Sequence, residues 1–218
     1  MKNFTSNKIH SSIKDFFSHC NESHRYVSFD YCFYYFYRNR NNLIDNNLEM
    51  SCMELWSYLG SWGMLRGSSE LLREKNYKVL IPVIEYINQH QEFYEMNLLE
   101  NKNIDNTLLL YEAIKKALNL KQKNQKTLIT KIMLGVYACC PAFDTNLCKT
   151  FGLSTQGDLK RHDLETIVEF YKSNRVLIDQ IVNSNKYDIL SFGGQPTNLK
   201  YNAVKMIDMF GFIFIVKL

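Results

Sequence analysis

Leu120–Leu147 reads LKQKNQKTLITKIMLGVYACCPAFDTNL: a polar turn, a strongly apolar run, a proline and an aspartate. The turn is KQKNQK, Lys121–Lys126. After it Leu128, Ile129, Ile132, Met133 and Val136 recur at helical spacing, so Thr127–Cys139 is expected to be a mostly buried helix. Cys140-Pro141 should end it, because proline pushes the residue before it away from α geometry. Asp144 then stands where a side-chain acceptor can cap a further helix over Asp144–Phe151.

Working outward, most of the chain carries the same period. Asn106–Asn119 (NTLLLYEAIKKALN) is an amphipathic helix with Glu112, Lys115 and Lys116 on its polar face. Leu80–Tyr94 reads as a helix with Pro82 in its first turn. Met50–Leu65 places Met53, Trp56, Leu59, Gly60, Gly63 and Met64 on one face, and Ser68–Leu72 begins another helical stretch. Leu159–Asn183 contains a long helix, Ser191–Asn198 (SFGGQPTN) a loop, and Tyr201–Leu218 a helix whose apolar end is core or a short strand. Ile9, Ile13, Phe16 and Phe17 suggest an N-terminal helix. Arg25–Arg40 (RYVSFDYCFYYFYRNR) is too continuously aromatic to reveal a face, so it is buried on most sides as helix or strand; Asn39–Asn47 is a turn or loop.

Composition agrees with that outline. The chain has 218 residues, 46% hydrophobic and 22% charged, enough for a real core in one domain over 1–218 or two closely packed lobes with a cleft. Only 3 Pro and 9 Gly argue against a many-stranded β fold, which needs more turns. The expected class is all-α, a compact unit of roughly eight to ten helices. The +4 net charge is compatible with nucleic acid without being diagnostic. No apolar run reaches the ~20 residues of a membrane span, and the start MKNFTSNKIHSSIKDFF lacks the apolar centre of an export signal. Six cysteines without a Cys-x-x-Cys pair fit free thiols in a reducing cytoplasm. The Asn- and Lys-rich usage resembles that of an AT-rich bacterial genome.

The order helix, polar turn, buried helix, Pro-x-x-Asp brings a resemblance. Leu120–Leu147 resembles the core of the helix-hairpin-helix GPD family of DNA glycosylases, and Tyr201–Phe210 is faintly similar to the terminal helix of short relatives. In that family a hairpin leads into a helix, which opens with a lysine in the lyase-type members, and an aspartate follows. Here 18 positions separate Lys126 from Asp144, the family spacing, and Asp144-Thr145-Asn146-Leu147 fits the local pattern. The hairpin carries Gln122 and Asn124 where the family has glycines, with Asn124 able to take the left-handed turn, and the cysteine quartet of the iron–sulfur members is absent.

The resemblance implies DNA as partner, no cofactor, and excision of a modified base by N-glycosidic cleavage. Asp144 would be the catalytic carboxylate, since such cleavage builds positive charge on the sugar, and helix-terminal amides favour its anion. Lys126 would be a nucleophile able to form a Schiff base. Lys121, Lys123, Asn124 and Thr127 would contact the DNA backbone. Trp56, Trp62, Tyr34 and Arg66 are candidates for the walls and lip of a pocket for an extruded base. Arg25, Arg38 and Arg40 flank aromatics that could stack on bases.

No other chemistry is signalled. His10, His19 and His24 lie near Cys20 without zinc-type spacing, so no metal is expected, and no phosphate loop, nucleophile elbow or His-Glu-x-x-His is present. The alternative function is a non-catalytic helical accessory or phage-defence protein that binds a protein partner, with the tryptophans as core and Asp144 only a cap.

Overall fold

The apolar run after the polar turn is the central helix, α7 (Lys126–Tyr137), in which every residue but Thr127 is buried. The structure, a computed structural model, describes residues 4–67, 69–184 and 186–216, apart from the side chains of Asn101 and Val216. Around α7 pack α1 (Ser6–Ser18), α2 (Ser28–Arg38), α3 (Leu48–Ser61), α4 (Glu70–Glu74), α5 (Ile81–Gln89), α6 (Ile104–Leu118), α8 (Thr145–Phe151), α9 (Arg161–Val182) and α10 (Ala203–Val216). Short 3-10 turns join several of them. The molecule is thus mostly helical, and no helix among the described residues is long and apolar enough to cross a membrane.

One expectation is corrected outright. The segment read as a plain loop carries an antiparallel hairpin, β1 (Asp188–Leu190) with β2 (Pro196–Lys200), paired Asp188 to Lys200 and Leu190 to Pro196. Its strands are too short for alternation to register in the sequence, and Asp30 of α2 anchors it by accepting the Leu190 amide at 2.9 Å. Arg25–Arg40 resolves as a 3-10 turn and then helix α2. α10 stays helical to Val216 rather than ending as a strand, and Lys217 and Leu218 lie outside the described residues. Ser68, at the start of the stretch before α4, also lies outside them, while Ser69 caps α4 by accepting the Leu72 amide.

Helix faces follow from packing. In α3 the buried residues are Ser51, Cys52, Leu55, Tyr58 and Leu59, whereas Met53 is 44% exposed, so the face drawn through Met53 is corrected. The closest approach is at Gly135 of α7, where a Cβ would lie 2.4 Å from the Tyr58 ring; only glycine admits that ring. α9 bends at Asn174, whose side-chain amide donates to the Phe170 carbonyl at 2.9 Å in place of a regular turn.

α7 ends at Tyr137, before the proline acts and short of the expected Cys139. Ala138 takes the left-handed conformation (φ 51°) and its amide closes on Leu134 O, so the helix stops at Tyr137. The segment 138–144 then runs back along α7, held at four points. Asn202 donates to Ala138 O, Asp208 of α10 accepts the Ala142 amide, and Thr127 and Thr130 bond the Phe143 carbonyl and amide. These bonds fix where Asp144 emerges.

Candidate active site

Asp144 is the N-cap of α8. Its Oδ1 accepts the amides of Asn146 and Leu147, each at 3.0 Å, which satisfies two of the helix's free donors. Its Oδ2 turns the other way, 3.4 Å from Lys131 Nζ. The carboxylate is 16% exposed, on the wall of an open cleft of about 310 Å³. Lys131, Thr127 and Asn146 line the cleft beside Asp144, together with Arg25, Trp62 and Arg66.

A charged side chain in the middle of a fully buried helix needs a compensating environment. Lys131 has two carboxylates near it, Asp144 in contact and Asp208 behind, and its ammonium lies 4.6 Å from the centre of the Trp62 ring. Burial is the largest influence and holds its pKa below the ordinary lysine value; Asp144 and Asp208 oppose this, and Lys205 adds repulsion. Lys205, itself buried, pairs with Asp208 at 2.7 Å and lies 5.5 Å from the Trp62 ring. Asp208 therefore has two attachments: one oxygen holds Lys205 and the other holds the Ala142 amide that leads to Asp144.

Trp62 is the wall's largest ring. Tyr26 stacks on it at 5.8 Å and Phe212 meets it edge-on at 5.5 Å. The Arg25 guanidinium lies 5.4 Å from its centre. Its indole Nε1 is buried and has no hydrogen-bond partner among the described residues.

The structure brings Asp144, Trp62, Arg66 and Thr127 to this one cleft, and it does not bring Lys126 there. Lys126 is 1% exposed; its Nζ donates to Asp163 Oδ2 at 2.8 Å and to Ser154 O at 2.9 Å. The shared cleft of Lys126 and Asp144 is therefore corrected. Lys126 opens α7 on the side facing α9, and its charge is consumed by a buried ion pair. Trp56 is half-buried against the core outside the cleft. Tyr34 lines two separate hollows beside Arg38 and the hairpin.

The expected backbone-binding turn is also altered. Lys121, Lys123 and Asn124 are exposed, but the left-handed residue is Asn119 rather than Asn124. The Gln122 amide donates to Glu70 at 2.9 Å, so a carboxylate already sits where a hairpin amide would meet a phosphate. Thr127 spends its hydroxyl on Phe143 O.

Residue reading missed Lys131 and did not assign Arg25 to the pocket. For Lys131 a signal existed: TLITKIML sets one lysine among apolar neighbours on a helix expected to be buried, which demands a buried partner. Nothing local marks Arg25, which reaches the cleft because the 3-10 turn Arg25–Val27 before α2 packs against Trp62. Among the described residues no group of three or more His, Cys, Asp or Glu side chains is arranged to hold a metal, and all six cysteines are free. Comparison of the chain with protein-family models, curated proteins and solved structures finds no match.

Proposed function

We propose that the Asp144 cleft acts on DNA as a glycosylase-like site, cleaving the N-glycosidic bond of a modified nucleotide. The observation that carries this reading is the division of labour on Asp144: one oxygen tied to helix amides, the other turned to Lys131 on the wall of the cleft. A carboxylate held that way cannot rotate away, and its negative charge faces the space where a sugar carbon would become positive.

In this scheme the amine belongs to Lys131, not Lys126. The glycosidic bond breaks with its electron pair going to the departing base. The neutral amine of Lys131, favoured by its burial, adds to the anomeric carbon, and Asp144 takes the proton that the new C–N bond releases. Trp62 helps to line the cleft that the extruded nucleotide would enter. If Lys131 does not add, the same carboxylate serves a water instead.

The test is base release from oligonucleotides carrying a panel of alkylated, oxidised and deaminated bases, with borohydride trapping run in parallel. Asp144→Asn should abolish release by at least about a hundredfold, of the order of losing one transition-state electrostatic group. Lys131→Ala should remove any trapped adduct. No release and no adduct across the panel leaves the protein-binding accessory reading in possession.

A further inference from the structure

Two cations at the mouth of the cleft have no role in that scheme. Arg25 and Arg66 are exposed, and among the described residues neither guanidinium pairs with a carboxylate. Both are nonetheless held in place. Arg25 lies 5.4, 5.6 and 5.6 Å from the centres of the Trp62, Tyr26 and Phe212 rings. Ring contact holds the guanidinium at the cleft with no carboxylate partner among the described residues, and a guanidinium fork suits bidentate phosphate contact. Arg66 is returned to the cleft by the turn after α3, in which Gly63 and Gly67 both have positive φ, and its side chain lies against Gly63.

Arg25 and Arg66 line the cleft against Asp144, so even with Lys131 neutral its cations outnumber the carboxylate. Two exposed arginines without a carboxylate partner, in excess of the Asp144 carboxylate, call for an anionic ligand. The volume, near the low end of the about 300–1,000 Å³ common for ligand sites, suits one nucleotide unit.

We propose that the cleft recognises its substrate as a nucleoside phosphate, with Arg25 and Arg66 gripping the phosphate at the mouth and the nucleoside entering the cleft that Trp62 helps to line. This rests on the nucleotide-processing reading above and adds the group by which the substrate is held. The phosphate belongs either to a free nucleotide or to a strand, and the chemistry is shared.

Trp62 reports its own occupancy. The chain has 2 tryptophans, and Trp56 lies outside the cleft, so Trp56→Phe leaves Trp62 as sole emitter. Fluorescence of that variant is titrated with thymidine, thymidine monophosphate, inorganic phosphate and a short oligothymidylate. Expected is saturable change with the monophosphate or the oligonucleotide, at least tenfold weaker with thymidine and with phosphate alone. A strand preference above tenfold identifies the strand as source and equal affinity the free nucleotide; both support the proposal. Arg25→Ala and Arg66→Ala, at exposed positions, should each weaken binding at least tenfold, with Arg25→Lys intermediate because it keeps charge but not the fork. No saturable response to either nucleotide probe, thymidine binding as well as its monophosphate, phosphate binding as well as the nucleotide, or indifference to both arginine variants would overturn it. Binding without base release from any substrate would sink the excision reading alone and leave the phosphate clamp standing.

Discussion

Two lysines five residues apart on α7 illustrate what one side chain's surroundings decide. Lys126 and Lys131 are both buried, yet the first is locked to Asp163 and Ser154 and the second faces the cleft. Lys126→Ala strands a carboxylate of which 7% is exposed, and should cost about 3–5 kcal/mol in urea unfolding. Base release per folded molecule should be unchanged; a selective loss of release at full stability would return the nucleophile to Lys126. Asp144 allows a cleaner separation. Asparagine keeps the cap but leaves the buried Lys131 without the carboxylate it contacts, so Asp144→Asn should destabilise through the lost ion pair, and Asp144→Ala should cost about 1 kcal/mol more through the lost cap. Both should lose base release. A charge-insensitive release rate would reduce Asp144 to its capping role.

At the scale of elements, contact between α3 and α7 depends on a missing side chain. Gly135→Ala places a methyl 2.4 Å from the Tyr58 ring, which is walled in on all sides, and should cost about 1–3 kcal/mol. In a double-mutant cycle the cost should largely vanish on a Tyr58→Ala background. Equal costs in both backgrounds would mean that the strain is taken up elsewhere. Because α3 carries its chain into the Trp62 turn and α7 carries Lys131, this contact sets the width of the cleft. Apolarity alone groups Met53 with Leu59, and only the neighbours α2, α5 and α7 decide that Leu59 is buried and Met53 exposed.

Across the whole molecule, Asp30 joins three parts of the chain. It sits on α2, accepts the Leu190 amide of β1, and takes the Tyr201 hydroxyl just before α10 at 2.6 Å. Burial pushes its carboxyl up to about 7 from 3.8, against the hydrogen bonds from Tyr201 and Leu190 and the nearby Lys205 charge. A carboxyl raised in the folded state holds a proton that the unfolded chain has released between those two values. Its contribution to stability is therefore complete below about pH 4 and lost as pH rises toward 7. The loss is at most on the order of 4 kcal/mol, at about 1.4 kcal/mol per pKa unit. Unfolding free energies of the native protein and of Asp30→Asn, measured from pH 4 to 8, should diverge with that sign. Parallel curves would show that Asp30 titrates as it does in the unfolded chain.

Helix, polar turn, buried helix and capped helix were legible in Leu120–Leu147 because periodicity, proline geometry and an N-cap act within a few residues of chain. The Asp144 cap is of that kind: Asn146 and Leu147 are its near neighbours, and the aspartate needs no tertiary partner to bond them. What faces Asp144 is not local. Lys131, Arg25, Trp62 and Asp208 come from four separate segments, and the sequence contains several lysines at spacings that could have served. Choosing Lys131 over Lys126 required knowing which side of α7 packs on α9 and which is left beside Trp62. Burial, not spacing, assigns a buried lysine its partner, and burial exists only once the helices have met.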